Sequence, residues 1–204
     1  MKQLLAICLV LAVAVAASAG NNPQVYAYVS FDPAGDPEQH TVTPAQFATV
    51  DAYICLGCVE GGMTVVSFGL NDVLAEYPGV CGTQAFVNLL PGGLAIGDPF
   101  VGGVTVASTE CMATETVIVG YASYFYMGNG PTDACVKIVD HAEYPRWVVD
   151  CQEPGVEDLY CLMGHGTIVG PAGGIACTDG LEDCPCGGSP VEDATWGGIK
   201  ALYR

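Results

Sequence analysis

Nine β-type runs, broken at short intervals by Gly, Pro, Asn and Asp, leave this chain few ways to fold. They are QVYAYVSF (24–31), ATVDAYIC (48–55), GMTVVSFGL (62–70), QAFVNLL (84–90), VGGVTVAS (101–108), ETVIVGYASYFYM (115–127), ACVKIVDH (134–141), RWVVDC (146–151) and DLYCLMGHGTIVG (158–170). All are rich in β-branched and aromatic residues, and several alternate apolar with polar. Two short segments read as helical: Leu70 to Tyr77, with Asn71 placed to cap it and Pro78 to stop it, and the stretch after Pro44. Parallel strands need long crossovers, usually helical, which this pattern does not offer. The expectation is an all-β, antiparallel β-sandwich, Ig-like or jelly-roll-like.

Strand side chains alternate between two faces, so the pattern also names a core. Val25, Ala27, Val29 and Phe31 share one face of the first run, with Tyr26, Tyr28 and Ser30 on the other. Val29 and Phe31 are expected inside. In the second run Val50, Ala52 and Ile54 form the core face, opposite Asp51 and Tyr53. ETVIVGYASYFYM is apolar on both faces, as suits a central strand or one whose second face binds something.

The first nineteen residues combine one Lys, a long apolar run and an Ala17-Ser18-Ala19 ending, the anatomy of a secretory signal peptide. Of the 11 cysteines Cys8 lies in that stretch, which leaves ten for an oxidising compartment. A disulfide-stabilised domain is the expectation, although ten cysteines admit too many pairings for sequence alone to choose. Folding 134–141 and 146–151 as a hairpin about position 143 sets Cys135 opposite Cys151. Cys161 with Cys177, and Cys81 with Cys111, are further candidates. Cys55-Leu56-Gly57-Cys58 follows a strand rather than opening a helix, so a closed turn is favoured over a redox centre. Val59 stands where a covalent haem site needs His, and no second Cys-x-x-Cys completes a zinc site.

At 204 residues the chain suits one domain with a tail. The expected division is a signal peptide (1–19), a β-sandwich domain (20–177), an acidic linker (178–195) and a C-terminal element (196–204). Hydrophobic content of 51% against 13% charged argues against disorder. The net charge of −17 disfavours nucleic acid, and anionic membrane surfaces with it, and leaves cations or basic protein surfaces as the permitted partners. After the leader no apolar run reaches the roughly 18 residues of a transmembrane helix. The destination expected is extracellular, periplasmic or at the cell surface.

Catalytic signatures are weak. His40, His141 and His165 are scattered, and no serine sits in Gly-x-Ser-x-Gly. A pair of carboxylates for a glycosidase-type hydrolase stays open because acidic residues are abundant. Asp32, Asp36 and Glu38 crowd one loop and Asp179, Glu182 and Asp183 another, which makes calcium the candidate cofactor if there is one. Tyr124 with Tyr126, and Tyr26 with Tyr28, alternate on strands, where their rings could stack on a sugar or a protein, or pair across strands.

The segment Trp196-Gly197-Gly198-Ile199-Lys200-Ala201-Leu202-Tyr203-Arg204 is basic where the linker before it is acidic. With Trp196, Lys200, Tyr203 and Arg204 it reads as a sorting or docking element, or as a tail packing its Trp on the domain. The layout resembles secreted, cysteine-containing β-sandwich proteins of diderm bacteria that end in a short Trp/Lys/Tyr-Arg element. The resemblance implies a sandwich and a terminal element, with no activity attached. The reading is a non-enzymatic binding, adhesive or structural surface module that meets a protein or glycan. The alternatives are a carboxylate-dependent hydrolase and a calcium-dependent adhesin.

Overall fold

The computed structural model describes residues 22, 24–129, 133–141, 143, 146–151, 157–170 and 177. The leader, the acidic linker and the C-terminal element lie outside them, and with them Asp179, Glu182, Asp183, Trp196, Lys200, Tyr203 and Arg204. Among the described residues the chain forms fourteen strands and one short helix. The strands are β1 (Tyr26–Ser30), β2 (Thr41–Val42), β3 (Thr49–Gly57), β4 (Met63–Leu70), β5 (Cys81–Asn88), β6 (Leu94–Asp98) and β7 (Gly103–Met112). They continue as β8 (Thr116–Tyr126), β9 (Ala134–Val136), β10 (Ile138–Val139), β11 (Trp147–Asp150), β12 (Glu157–Leu159), β13 (Cys161–Gly164) and β14 (Gly166–Ile168). The helix, α1, spans Val73–Glu76.

Two sheets pack as a sandwich. One runs β13-β1-β3-β8-β5; the other runs β12-β11-β4-β7-β6, with β10 also pairing with β4. A small third sheet joins β2, β14 and β9. Pairing is antiparallel except β1 with β13 and β14 with β2, where the late segment 161–168 returns alongside early strands. The core lies between the two large sheets, with Val50, Ala52 and Ile54 buried as the alternation requires. Val66 and Phe68 of β4 and Val104 and Val106 of β7 belong to the same cluster.

Several local expectations are corrected. The segment after Pro44 is a turn, because Phe47 sits at φ 63° in the left-handed region, which no helix admits. Asn71 does not cap α1; Asp72 does, its Oδ1 accepting from the Leu74 and Ala75 N–H groups at 3.1 and 3.2 Å. Asn71 instead works as a buried bracket, its Nδ2 donating to the Cys135 carbonyl at 2.9 Å and its Oδ1 accepting from the Lys137 N–H at 2.7 Å. Tyr28 is buried although it lies opposite the expected core face, because loop 31–40 folds over it and its hydroxyl donates to the Gly35 carbonyl at 2.6 Å.

The cysteines pair otherwise than local geometry suggests. Two of the bridges among the described residues are Cys111–Cys151 and Cys135–Cys177, each with Cα atoms 5.6 Å apart. Cys135 does not meet Cys151, because 134–151 is no hairpin: β9 pairs with β14, whereas β10 and β11 both pair with β4. Cys161 therefore does not take Cys177. Cys58 and Cys161 are disulfide-bonded, but Cys55 and Cys81 are free and buried, which removes the Cys55–Cys58 and Cys81–Cys111 pairs. Gly62, at φ +82°, packs under the sulfurs of Cys111 and Cys151, where a Cβ has no room.

Burial pushes the Cys55 thiol up to about 12 and the Cys81 thiol up to about 11. Thiolate is the reactive form, so both are inert while the fold holds. Alkylation at pH 8 should modify neither in native protein and both after denaturation. Rapid native labelling at either would contradict this packing.

Candidate functional site

The sequence QAFVNLLPGGLAIGDPFVGG places two aliphatic-rich strands around a Pro-Gly-Gly turn, and the topology puts both at sheet edges. β5 ends the first sheet and β6 ends the second, and the two lie against each other. Among the described residues seven large hydrophobic side chains are exposed, and five of them fall on this rim. They are Val87 (38%), Leu89 (46%), Leu94 (60%), Ile96 (64%) and Val101 (83%). The other two, Phe47 and Val139, lie elsewhere in the chain.

β6 pairs with β7 along a continuous register from Leu94↔Ala107 to Asp98↔Gly103, and its opposite edge carries no strand among the described residues. All five of its residues are exposed. Sheet edges are ordinarily blunted by Lys, Pro, a bulge or a covering loop. Between Leu94 and Gly97 there is no Lys, Pro or bulge, and no covering loop among the described residues, and Asp98 at the end is the strand's one charge.

The rim is held at both ends. Asn88 Oδ1 accepts from the Leu90 N–H at 2.9 Å, and the Pro91 carbonyl accepts from the Ser108 and Thr109 hydroxyls at 3.3 and 3.1 Å. At the far end Asp98 Oδ1 accepts from the Phe100 N–H at 3.0 Å, and the Asp98 carbonyl accepts from the Val101 and Gly102 N–H groups at 3.2 Å. Gly103 sits at φ +102° with the His141 ring pressed against it, so a side chain there would displace the imidazole.

Register extends the site across the outer face of the second sheet. Ile96 lies opposite Thr105, Thr105 opposite Ser67, and Ser67 opposite Trp147. Directly opposed residues share a face, so these four form one row, with the Ser67 and Thr105 hydroxyls 2.9 Å apart. Over the row opens a cavity of about 690 Å³ lined by Ile96, Asp98, Val101, His141, Glu143 and Trp147 among others. His141 Nδ1 accepts from the Glu143 N–H at 3.1 Å.

The tyrosines expected at a binding face lie elsewhere. Tyr124 (0% exposed) and Tyr126 (4%) point into the sandwich, the latter donating to the Val169 carbonyl at 3.3 Å. Tyr28 is buried, and Tyr26 is half-buried against it with ring centroids 5.6 Å apart. Burial raises all four phenols, the desolvation of a group that would have to ionise indoors. The outward side of β8 carries Tyr121 and Phe125 instead; Tyr121 pairs with Tyr53 at 5.5 Å and Phe125 with Phe47 at 6.4 Å. The first is a cross-strand pair that braces the sheet, and the second packs the turn before β3 onto β8.

Asp32, Asp36 and Glu38 shape their loop rather than converge. Asp36 Oδ1 accepts from the Glu38 N–H at 2.9 Å, and among the described residues no three acidic, His or Cys side chains form a metal-holding group. His40 and His165 meet at a second cavity, of about 510 Å³, with Tyr28, Glu38 and Cys177. Sequence reading missed β6 altogether, because Gly92, Gly93 and Gly97 outweighed a four-residue alternation. The usable signal was Leu94 and Ile96 two apart, beside Ala95 and Gly97.

Among the described residues no helix is long and apolar enough to cross a membrane. No protein-family model and no curated protein matches the chain. Among solved structures it is similar to CaCohA2 from Clostridium acetobutylicum, at 14% identity and a TM-score of 0.46, over 73% of this chain and 92% of that one. It is also similar to a chain of Coh-OlpA-Doc918, a type I cohesin–dockerin complex from Clostridium thermocellum. That likeness has 12% identity and a TM-score of 0.47, over 71% of this chain and 97% of that one.

Proposed function

We propose that the chain is a secreted, non-enzymatic binding module that takes a protein partner at the β5–β6 rim. The concentration of five exposed large hydrophobic side chains along the β5–β6 rim, two of them, Leu94 and Ile96, on the bare β6 edge, carries the reading. Isolated exposed apolar residues are ordinary, whereas exposed apolar residues on an edge strand that no other described strand covers offer a template for strand addition. The turns that pin both ends of β6 keep that template in shape before a partner arrives, which lowers the cost of binding. The disulfides fit an oxidising, extracellular or periplasmic setting.

The test passes the purified full chain over arrays of extended nonapeptides and of glycans, with a polysaccharide panel assayed for sugar release. Retention on peptides is expected. Ile96→Glu should weaken it by about tenfold or more, the scale of one lost contact of 1.4 kcal/mol, while Phe47→Glu leaves it unchanged. Sugar release would replace this reading with a hydrolase. Peptide retention that chelation abolishes would replace it with a calcium-dependent adhesin.

A further inference from the structure

Resting on the reading of the rim, we infer that the cavity beside β6 accepts a lysine or arginine side chain, so that the segment added to β6 is extended and basic. Ile96 and Asp98 belong at once to the bare edge and to the cavity wall, so a strand laid along Leu94–Asp98 passes the cavity mouth. Successive side chains of such a strand alternate in direction, and those facing the outer side of the second sheet are aimed at it.

The lining suits a long cationic side chain in three respects. Ile96 and Val101 offer apolar surface to its methylene stem. Trp147 offers an aromatic wall to the charged head. Asp98 and Glu143 supply two carboxylates, and among the described residues that line the cavity no Lys or Arg stands against them. Arg146, the basic residue nearest in sequence, has its Nε on Asp140 Oδ1 at 2.7 Å, and Lys137 stands 4.0 Å from Glu76. The net charge of −17 adds a long-range attraction for the same kind of partner.

The probes are nonapeptides of alternating Thr and Val whose central residue is Lys, Arg, norleucine or Glu, titrated against the full chain. The Lys and Arg peptides should bind about tenfold tighter than the norleucine peptide, a difference of one charged contact, with the Glu peptide weakest. Asp98→Asn with Glu143→Gln should bring the Lys peptide down to the norleucine level and leave the norleucine peptide unchanged. Asn keeps the Oδ1 acceptor for the Phe100 N–H, and Glu143→Gln alone, on an exposed side chain, gives a second variant that leaves the turn untouched. Equal binding of the Lys and norleucine peptides, or a preference that survives the double variant, overturns the basic pocket and leaves the rim reading intact. Failure of all four peptides overturns both.

Discussion

Removing the Cys111–Cys151 and Cys135–Cys177 bridges together, as paired Cys→Ser variants, is expected to bring the domain close to unfolding at ambient temperature. The bridges close loops of 40 and 42 residues, and in the chain-entropy account each contributes about 4 kcal/mol by restricting the unfolded chain. A domain of this size has roughly 5–15 kcal/mol in all. The bridges also act at different places. Cys111 ends β7 and Cys151 follows β11, so the first ties the strands on either side of β4. The second fastens β9, in the small third sheet, to Cys177 beyond β14. Their losses should therefore add, lowering the melting temperature by about 20 °C or more. A combined shift of a few degrees would show that the sheets hold without them.

Phe68→Ala is expected to cost about 3–5 kcal/mol, seen as a melting temperature lower by roughly 10 °C. Phe68 is 1% exposed on β4, the middle strand of its sheet, and meets Phe86 edge-on with centroids 5.7 Å apart at 74°. The cavity would form where β4 and β5 face one another across the sandwich, between elements fixed by pairing on both sides of β4. Close-packed strands collapse poorly into such a void. Chemical unfolding with an unchanged m-value would assign the loss to the folded state, whereas a cost under 1 kcal/mol would place Phe68 outside the core.

The sandwich was legible because period-two alternation is local: Val50, Ala52 and Ile54 declare the core side of β3 with no knowledge of partners. The cysteines were not, because pairing is decided by which strands meet, and 134–151 spreads over two sheets where sequence proximity suggests one hairpin. Tyr124 and Tyr126 show a third case. Their alternation was read correctly, but alternation says only that they share a face, and the strands opposite make that face the inner one. β6 was hidden by the glycines in and before it, of which Gly92 at φ +57° and Gly97 at φ +102° are there for backbone shape. A site built on a bare strand edge leaves little signature, since backbone N–H and C=O groups are common to every residue.

Amide hydrogen exchange on the full chain, with and without the Lys-centred nonapeptide, tests the central claim most directly. If the β5–β6 rim receives an added strand, the amides of Leu94–Asp98 that face away from β7 gain protection, and protection elsewhere changes little. Protection that leaves Leu94–Asp98 unaltered, or that appears instead around Phe47, Tyr53 and Tyr121, would contradict it.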